Sequence, residues 1–170
     1  MSFCIMFIGI PGIGKTTIGK LLTKSIPFSE YIDQDQFFGE RNASFLYLQS
    51  IEKTIKEGRI PILGKNHHNQ KTRKPVIDLL KRLGVDCFAF NLLPDDFLLH
   101  REKVIDEVIR RIGERDPSSS TLHTDQARNV INDVFVPQYE KPEELSVIML
   151  DYTSSVTTNV NRILEYIKEK

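Results

Sequence analysis

Gly9-Ile10-Pro11-Gly12-Ile13-Gly14-Lys15-Thr16 begins where the apolar run Phe3-Cys4-Ile5-Met6-Phe7-Ile8 ends, and a helical pattern over residues 15–24 follows it. The order strand, loop, helix gives the spacing G-x-x-x-x-G-K-[ST] the setting that a Walker A phosphate loop needs. Glycines let successive backbone N–H groups converge on phosphate oxygens, and the loop delivers the anion to a helix start whose dipole favours negative charge. Gly12, Ile13, Gly14, Lys15, Thr16 and Thr17 are therefore the candidate nucleotide-binding residues. Lys15, read as an exposed loop lysine, reaches the terminal phosphates, and Thr16 sets its hydroxyl on Mg²⁺. A glycine-rich turn joining a strand to a helix would not need Lys and Thr at these two places.

The 170 residues are 40% hydrophobic, which suits one domain spanning 1–170 with a sizeable core. Lys plus Arg and Asp plus Glu each number 23, so the formal net charge is zero. That balance excludes a strongly basic, nucleic-acid-coating protein and leaves nucleic acid as a transient substrate. Cys4 and Cys87 lie in apolar runs and read as reduced buried thiols, which suits a reducing compartment, cytoplasmic or nuclear. The first apolar run is short, lacks a basic leader and enters the phosphate loop at once, so it reads as a core strand and not a signal peptide. No segment is long enough to span a bilayer. Oligomeric state is not legible.

Five apolar runs read as strands, over residues 3–8, 30–32, 60–63, 85–92 and 145–150. Most are unbroken, as strands covered on both faces are. Helical patterns lie between and after them, over 15–24, 43–57 ending at Gly58, 73–83 ending at Gly84, 95–112 with Asp95 as N-cap, 124–136 with Thr124 as cap, and 157–168. Alternation of this kind predicts a parallel α/β sheet with the phosphate loop at its carboxyl edge.

Three polar groups fall near that edge. At the tip of the second strand, Asp33 and Asp35 offer a carboxylate that takes a proton from an acceptor hydroxyl or holds Mg²⁺-bound water, with Asp35 the choice for the base. Both could instead cap the next helix; their spacing suggests that one faces the site and the other caps. After the third strand, Gly64-Lys65-Asn66-His67-His68-Asn69-Gln70 leads into Lys71, Arg73 and Lys74, a basic cluster suited to phosphate or acceptor hydroxyls. Lys65 and Asn66 are best placed there, Lys71 and Lys74 read as solvated, and the His67-His68 pair has no partner at a zinc-like spacing. The third group is Arg110, Arg111 and Arg115, before and within the loop-rich stretch 113–123. A lid arginine neutralises charge on a transferring phosphoryl group, and Arg115 is the candidate. Arg110 and Arg111 alternate with acids as a solvated helix face does. No apolar strand ends in a Walker B aspartate and no Asn-Lys-x-Asp guanine signature occurs, which points away from regulatory GTPases and motor ATPases.

With these residues in place, the chain resembles the polynucleotide 5′-hydroxyl kinase family, most closely the kinase domain of fungal and plant tRNA ligases and more distantly the bacteriophage polynucleotide kinases. The resemblance runs over nearly the whole chain. It maps the general base onto Asp35 in Ile32-Asp33-Gln34-Asp35-Gln36, a strand-tip motif onto Gly64-Lys65-Asn66, the lid arginine onto Arg115, and the nucleobase contact onto the region of Ser154-Ser155. It departs at Gly64, where the family has Asp, at Phe38, where the phage enzymes have Arg, and in the lid, which reads Arg-Asp-Pro-Ser-Ser instead of the ligases' Arg-Gly-Asp-Asn-His-Gln. The resemblance implies a three-layer P-loop NTPase-like sandwich with sheet order 2-3-1-4-5 and a helical lid over about residues 110–124.

The combined expectation is a Mg²⁺-dependent kinase moving the γ-phosphoryl of ATP or GTP to a 5′-hydroxyl end of RNA or DNA. Lys15 and Thr16 hold nucleotide and metal, Asp35 acts as base with a water-mediated hold on Mg²⁺, Arg115 closes over the transferring group, Ser154 lies at the nucleobase, and Asp33, Lys65 and Asn66 meet the acceptor. A small-metabolite or nucleotide kinase and a non-catalytic nucleotide-binding module remain open on the same scaffold.

Overall fold

The computed structural model describes residues 2–114 and 124–170. Along the chain come β1 (Phe3–Ile8), α1 (Lys15–Ser25), β2 (Ser29–Ile32), α2 (Ala43–Lys56), β3 (Ile60–Leu63), α3 (Gln70–Leu83), β4 (Asp86–Asn91), α4 (Arg101–Gly113), α5 (Thr124–Val130), β5 (Val147–Met149) and α6 (Val156–Lys168). The strands form one sheet in the order β2-β3-β1-β4-β5, every pair parallel, as the resemblance implies.

β1 is central because it can be buried on both faces, and Cys4 to Ile8 are all fully buried. Its side chains still alternate. Ile5 and Phe7 join Ile18, Leu22, Val104, Val108 and Ile163 on the α1, α4, α6 side. Cys4 and Met6 join Tyr47, Ile51, Val76 and Leu80 on the α2, α3 side. Each fully buried large apolar side chain contributes about 1.5–3 kcal/mol by transfer alone, and Phe7→Ala would cost about 3–5 kcal/mol. Cys4 and Cys87 are free, and burial raises the pKa of both, to about 12 for Cys87. Because all strands run the same way, the segments after β1, β2, β3 and β5 emerge on one edge of the sheet.

Beyond shifts of one or two residues at several ends, four local features differ from the sequence expectation. α4 begins at Arg101, and Asp95 caps nothing. Phe97, fully buried against Tyr139 at 5.1 Å between ring centroids, pulls residues 94–100 into successive turns, with Phe97 N–H donating to Pro94 O and Leu99 N–H to Asp96 O. α3 starts three residues early, because Asn69 and Thr72 form a reciprocal capping box. A 3-10 turn over Gln34–Phe37 follows β2. Past α5, residues 131–135 widen into a π-helical turn where a continuous helix to 136 was expected. Arg115, most of the expected lid and the capping side chain of Thr124 lie outside the described residues.

Candidate functional site

The phosphate loop is shaped by two glycines in the left-handed region, Gly12 at φ 84° and Gly14 at φ 114°. A Cβ on Gly12 would also lie 2.7 Å from Val108 Cγ1 and 2.9 Å from Ile112 Cδ1, so α4 abuts the loop at a point where only glycine fits. The other flank is pinned by the backbone of β3's exit, where Asn66 O accepts from Gly9 N–H at 2.9 Å. α1 starts at Lys15 with no side-chain cap and no acid in its first turn, which leaves the positive end of its dipole turned to the loop. Thr16 and Thr17 are exposed there.

Lys15 is not the exposed lysine the sequence suggested. It is 5% exposed, and its Nζ donates to Ile10 O at 2.7 Å and Gly9 O at 3.4 Å, folded back along the loop. The ammonium is thereby held within the phosphate cradle, on carbonyls that a phosphate oxygen can replace.

Of the two acids, Asp33 takes the capping role that the sequence left open to either. Asp33 caps the 3-10 turn, its Oδ1 accepting from Asp35 N–H at 3.2 Å. Its Oδ2 lies 3.1 Å from Tyr31 Oη, which in turn lies 3.2 Å from Thr16 Oγ1. Asp35 is exposed and stands where it feels both Asp33 and Lys15. Loss of water on its protein side raises its pKa above the ordinary carboxylate value, the Asp33 charge raises it further, and the Lys15 ammonium opposes both. A carboxylate raised in this way is a better proton acceptor than a free one.

The β3 exit is mostly structural. Lys65 places its Nζ 5.5 Å from the centroid of the Tyr47 ring, and burial lowers its pKa. His67 is fully buried, with Nδ1 3.0 Å from Phe7 O, and burial lowers its pKa to about 3; His68 is lowered to about 4 by the same cause. Both rings are neutral at pH 7. Arg73, counted in the basic cluster from sequence, is fully buried and binds Glu144 through Nε and Nη2, His67 O at 3.0 Å and Glu140 O at 3.0 Å. It clamps the β3 exit to residues 140–144 and does not face a ligand. Lys65 and Asn66 remain at the loop's flank, half-buried.

The residue that sequence reasoning undervalued is Arg111. Its guanidinium donates to Glu107 Oε1 at 2.7 Å, to Ile13 O in the phosphate loop at 3.3 Å and to Tyr152 O after β5. It ties the phosphate loop to the turn that carries Ser154, where Asp151 accepts from Thr153 N–H, Thr153 Oγ1 and Ser154 Oγ. A signal was available, since Arg111 stands three residues after Val108 and seven after Val104, on the buried stripe of α4. Arg110, by contrast, pairs with Glu107 and Glu114 on the exposed face, as expected.

These groups can hold a nucleotide's phosphates, set an acceptor hydroxyl against a carboxylate, and fix the distance between phosphate and base contacts. The oxygen donors Thr16, Asp33 and Asp35 suit Mg²⁺. Bound there, Mg²⁺ would neutralise charge on the β and γ phosphates. Among the described residues no group of three or more His, Cys, Asp or Glu is placed to hold a metal ion.

No protein-family model matches the chain, and no curated protein matches its sequence. Solved structures do. The chain superposes on a fungal RNA kinase with a TM-score of 0.70 at 19% identity, covering 99% of this chain and 86% of that one. A sugar kinase from a Janibacter species gives 0.67 at 17% identity over 99% and 95% of the two chains. Kti12 of Chaetomium thermophilum, solved with ADP-AlF3, gives 0.66 at 16% over 95% and 97%. The fold is that of the P-loop kinases.

Proposed function

We propose that this protein is a Mg²⁺-dependent P-loop phosphotransferase that moves the γ-phosphoryl of ATP or GTP to the 5′-hydroxyl of an RNA or DNA end. The observation that carries it is the convergence at one sheet edge of a phosphate loop, its buried Lys15 and an Asp35 whose pKa responds to that lysine. Lys15 exchanges the loop carbonyls for phosphate oxygens, and the amides of Gly12, Ile13 and Gly14 hold the phosphates. Thr16 would hold Mg²⁺ directly, and Asp35 would hold it through water. Asp35 accepts the proton of the attacking hydroxyl while in-line transfer proceeds. Arg111 keeps the nucleobase turn with Ser154 in register with the loop. Arg115 keeps the role the sequence suggests, a guanidinium on the transferring group.

The acceptor class rests on two exposed aromatic side chains in the segments that follow the base. Phe38, three residues beyond Asp35 and hydrogen-bonded through its N–H to Asp35 O, is 84% exposed, and Phe45 in the first turn of α2 is 59% exposed. Exposed rings at the acceptor side offer faces for bases of a single strand, each stack worth about 1–3 kcal/mol. Phe38 thus supports a polynucleotide acceptor through stacking where the phage enzymes carry an arginine. Zero net charge favours the second reading, a small-metabolite kinase, because a polyanion gains little from a balanced surface. A transfer assay crossing four NTP donors with 5′-hydroxyl RNA, 5′-hydroxyl DNA, mononucleotides and sugars decides between them. The proposal expects product on an oligonucleotide and a loss of rate in Phe38→Ala; product on a sugar alone would refute it.

A further inference from the structure

One tyrosine and two glycines account for the acid that is absent from the tip of β3. A Cβ on Gly64 would lie 2.0 Å from Tyr31 Oη and 2.4 Å from Tyr31 Cζ. A Cβ on Gly19, inside α1, would lie 2.4 Å from both Cδ2 and Cε2 of the same ring. Neither glycine has a positive φ, so backbone conformation does not call for it. Glycine inside a helix costs about 1 kcal/mol relative to alanine, and here that cost admits the Tyr31 ring.

The ring delivers its hydroxyl to 3.2 Å from Thr16 Oγ1 and 3.1 Å from Asp33 Oδ2. A phenol has one proton and an ionised carboxylate only accepts, so Tyr31 donates to Asp33 and accepts from Thr16. The proton order is Thr16 O–H to Tyr31 Oη, and Tyr31 O–H to Asp33. A hydroxyl that turns a lone pair toward a cation must direct its proton away from it. Where a Walker B aspartate exists it shares the cation with this hydroxyl, and this chain has Gly64 at the strand tip instead.

We propose that Tyr31, anchored by Asp33, is a positioning residue that turns the Thr16 hydroxyl toward Mg²⁺, and that this β2 pair replaces the carboxylate absent at Gly64. The inference rests on the reading that the phosphate loop binds a Mg²⁺-nucleotide. Its test is a binding measurement, the Kd of a β,γ-imido analogue of ATP or GTP in excess Mg²⁺ and in EDTA. Tyr31→Phe keeps the ring between the two glycines and removes only the hydroxyl. It is expected to bind like the parent in EDTA and about tenfold more weakly than the parent in Mg²⁺, the equivalent of about 1.4 kcal/mol. Gly64→Asp together with Tyr31→Ala is expected to regain Mg²⁺-dependent tightening over Tyr31→Ala alone, since the carboxylate then has the room that the ring leaves. Parental Mg²⁺ dependence in Tyr31→Phe overturns the proposal, as does equal weakening with and without Mg²⁺. If the parent transfers phosphoryl and Tyr31→Phe keeps its Mg²⁺ dependence, this inference alone fails. If the parent binds no nucleotide in either condition, the proposed function fails with it.

Discussion

Arg111→Ala separates this account from a reading in which α4 merely carries a solvated row of charges. The substitution removes three donated hydrogen bonds, to Glu107, Ile13 O and Tyr152 O. The pair with Glu107 is in partial contact with water, the two side chains being 23% and 25% exposed, and is worth about 0–1 kcal/mol. The two carbonyl bonds come from a charged donor, but one is long at 3.3 Å, so together they contribute about 2 kcal/mol. For a chain of this size a total of about 2–3 kcal/mol lowers Tm by about 4–12 °C. Nucleotide Kd should weaken about tenfold, because binding must then fix the distance between the phosphate loop and the Ser154 turn that Arg111 fixes beforehand. Arg110→Ala loses only exposed pairs with Glu107 and Glu114 and should shift neither quantity measurably. Arg115→Ala should lower kcat while leaving Kd near the parent, as loss of a contact made in the transition state does. Thermal melts, fluorescent-nucleotide titrations and transfer assays of the three variants read all of this. Parental Tm and Kd in Arg111→Ala, or equal losses in Arg110→Ala, would refute the reasoning.

Five further substitutions have defined outcomes. Lys15→Ala should cut transfer by about 10²–10³-fold or more and leave the circular dichroism spectrum intact, because the ammonium acts on developing phosphoryl charge. Asp35→Ala should lose far more turnover than Asp33→Ala, whereas Asp33→Ala should lose about 0.5–2 kcal/mol of stability with its cap, measured by urea unfolding. The pKa of Asp35 is raised in the folded state, so its protonated form favours folding and stability falls as pH rises through that pKa; Asp35→Asn should therefore melt no lower than the parent at pH 7. Arg73→Ala leaves the Glu144 carboxylate and two carbonyls without their partner, which costs about 3–5 kcal/mol, yet well below its Tm it should turn over at the parental rate.

The alternation of unbroken apolar runs with helical patterns was enough to place β1, β3 and the phosphate loop, because strands buried on both faces leave a plain signature. The sheet order came from the resemblance, not from periodicity. Boundaries failed where tertiary contacts override local pattern: the turns ahead of α4 form to bury Phe97, and Asp95 offered a cap signal with no helix to use it. At the site, the cap on Asp33 was legible as a short acid just ahead of a turn, although the sequence left open which of the two acids would take it. The burial of Lys15 and Arg73 was not, since a charge buried by carbonyls and a distant Glu144 looks in sequence like a charge in water. Arg111 was hidden in a run of alternating charges, although its spacing from Val104 and Val108 put it on the inner stripe. Gly64 read only as a missing acid, and the position of Tyr31 connects it with Gly19.

The central claim is tested most directly by incubating the parent protein, Lys15→Ala and Asp35→Ala with γ-labelled ATP or GTP, Mg²⁺ and a 5′-hydroxyl oligoribonucleotide, and counting label at the 5′ end. The account predicts label transferred by the parent, and none above background in either variant, although Asp35→Ala still binds nucleotide. A parent that binds Mg²⁺-nucleotide and labels no 5′ end, or an Asp35→Ala protein that labels it at the parental rate, would contradict it.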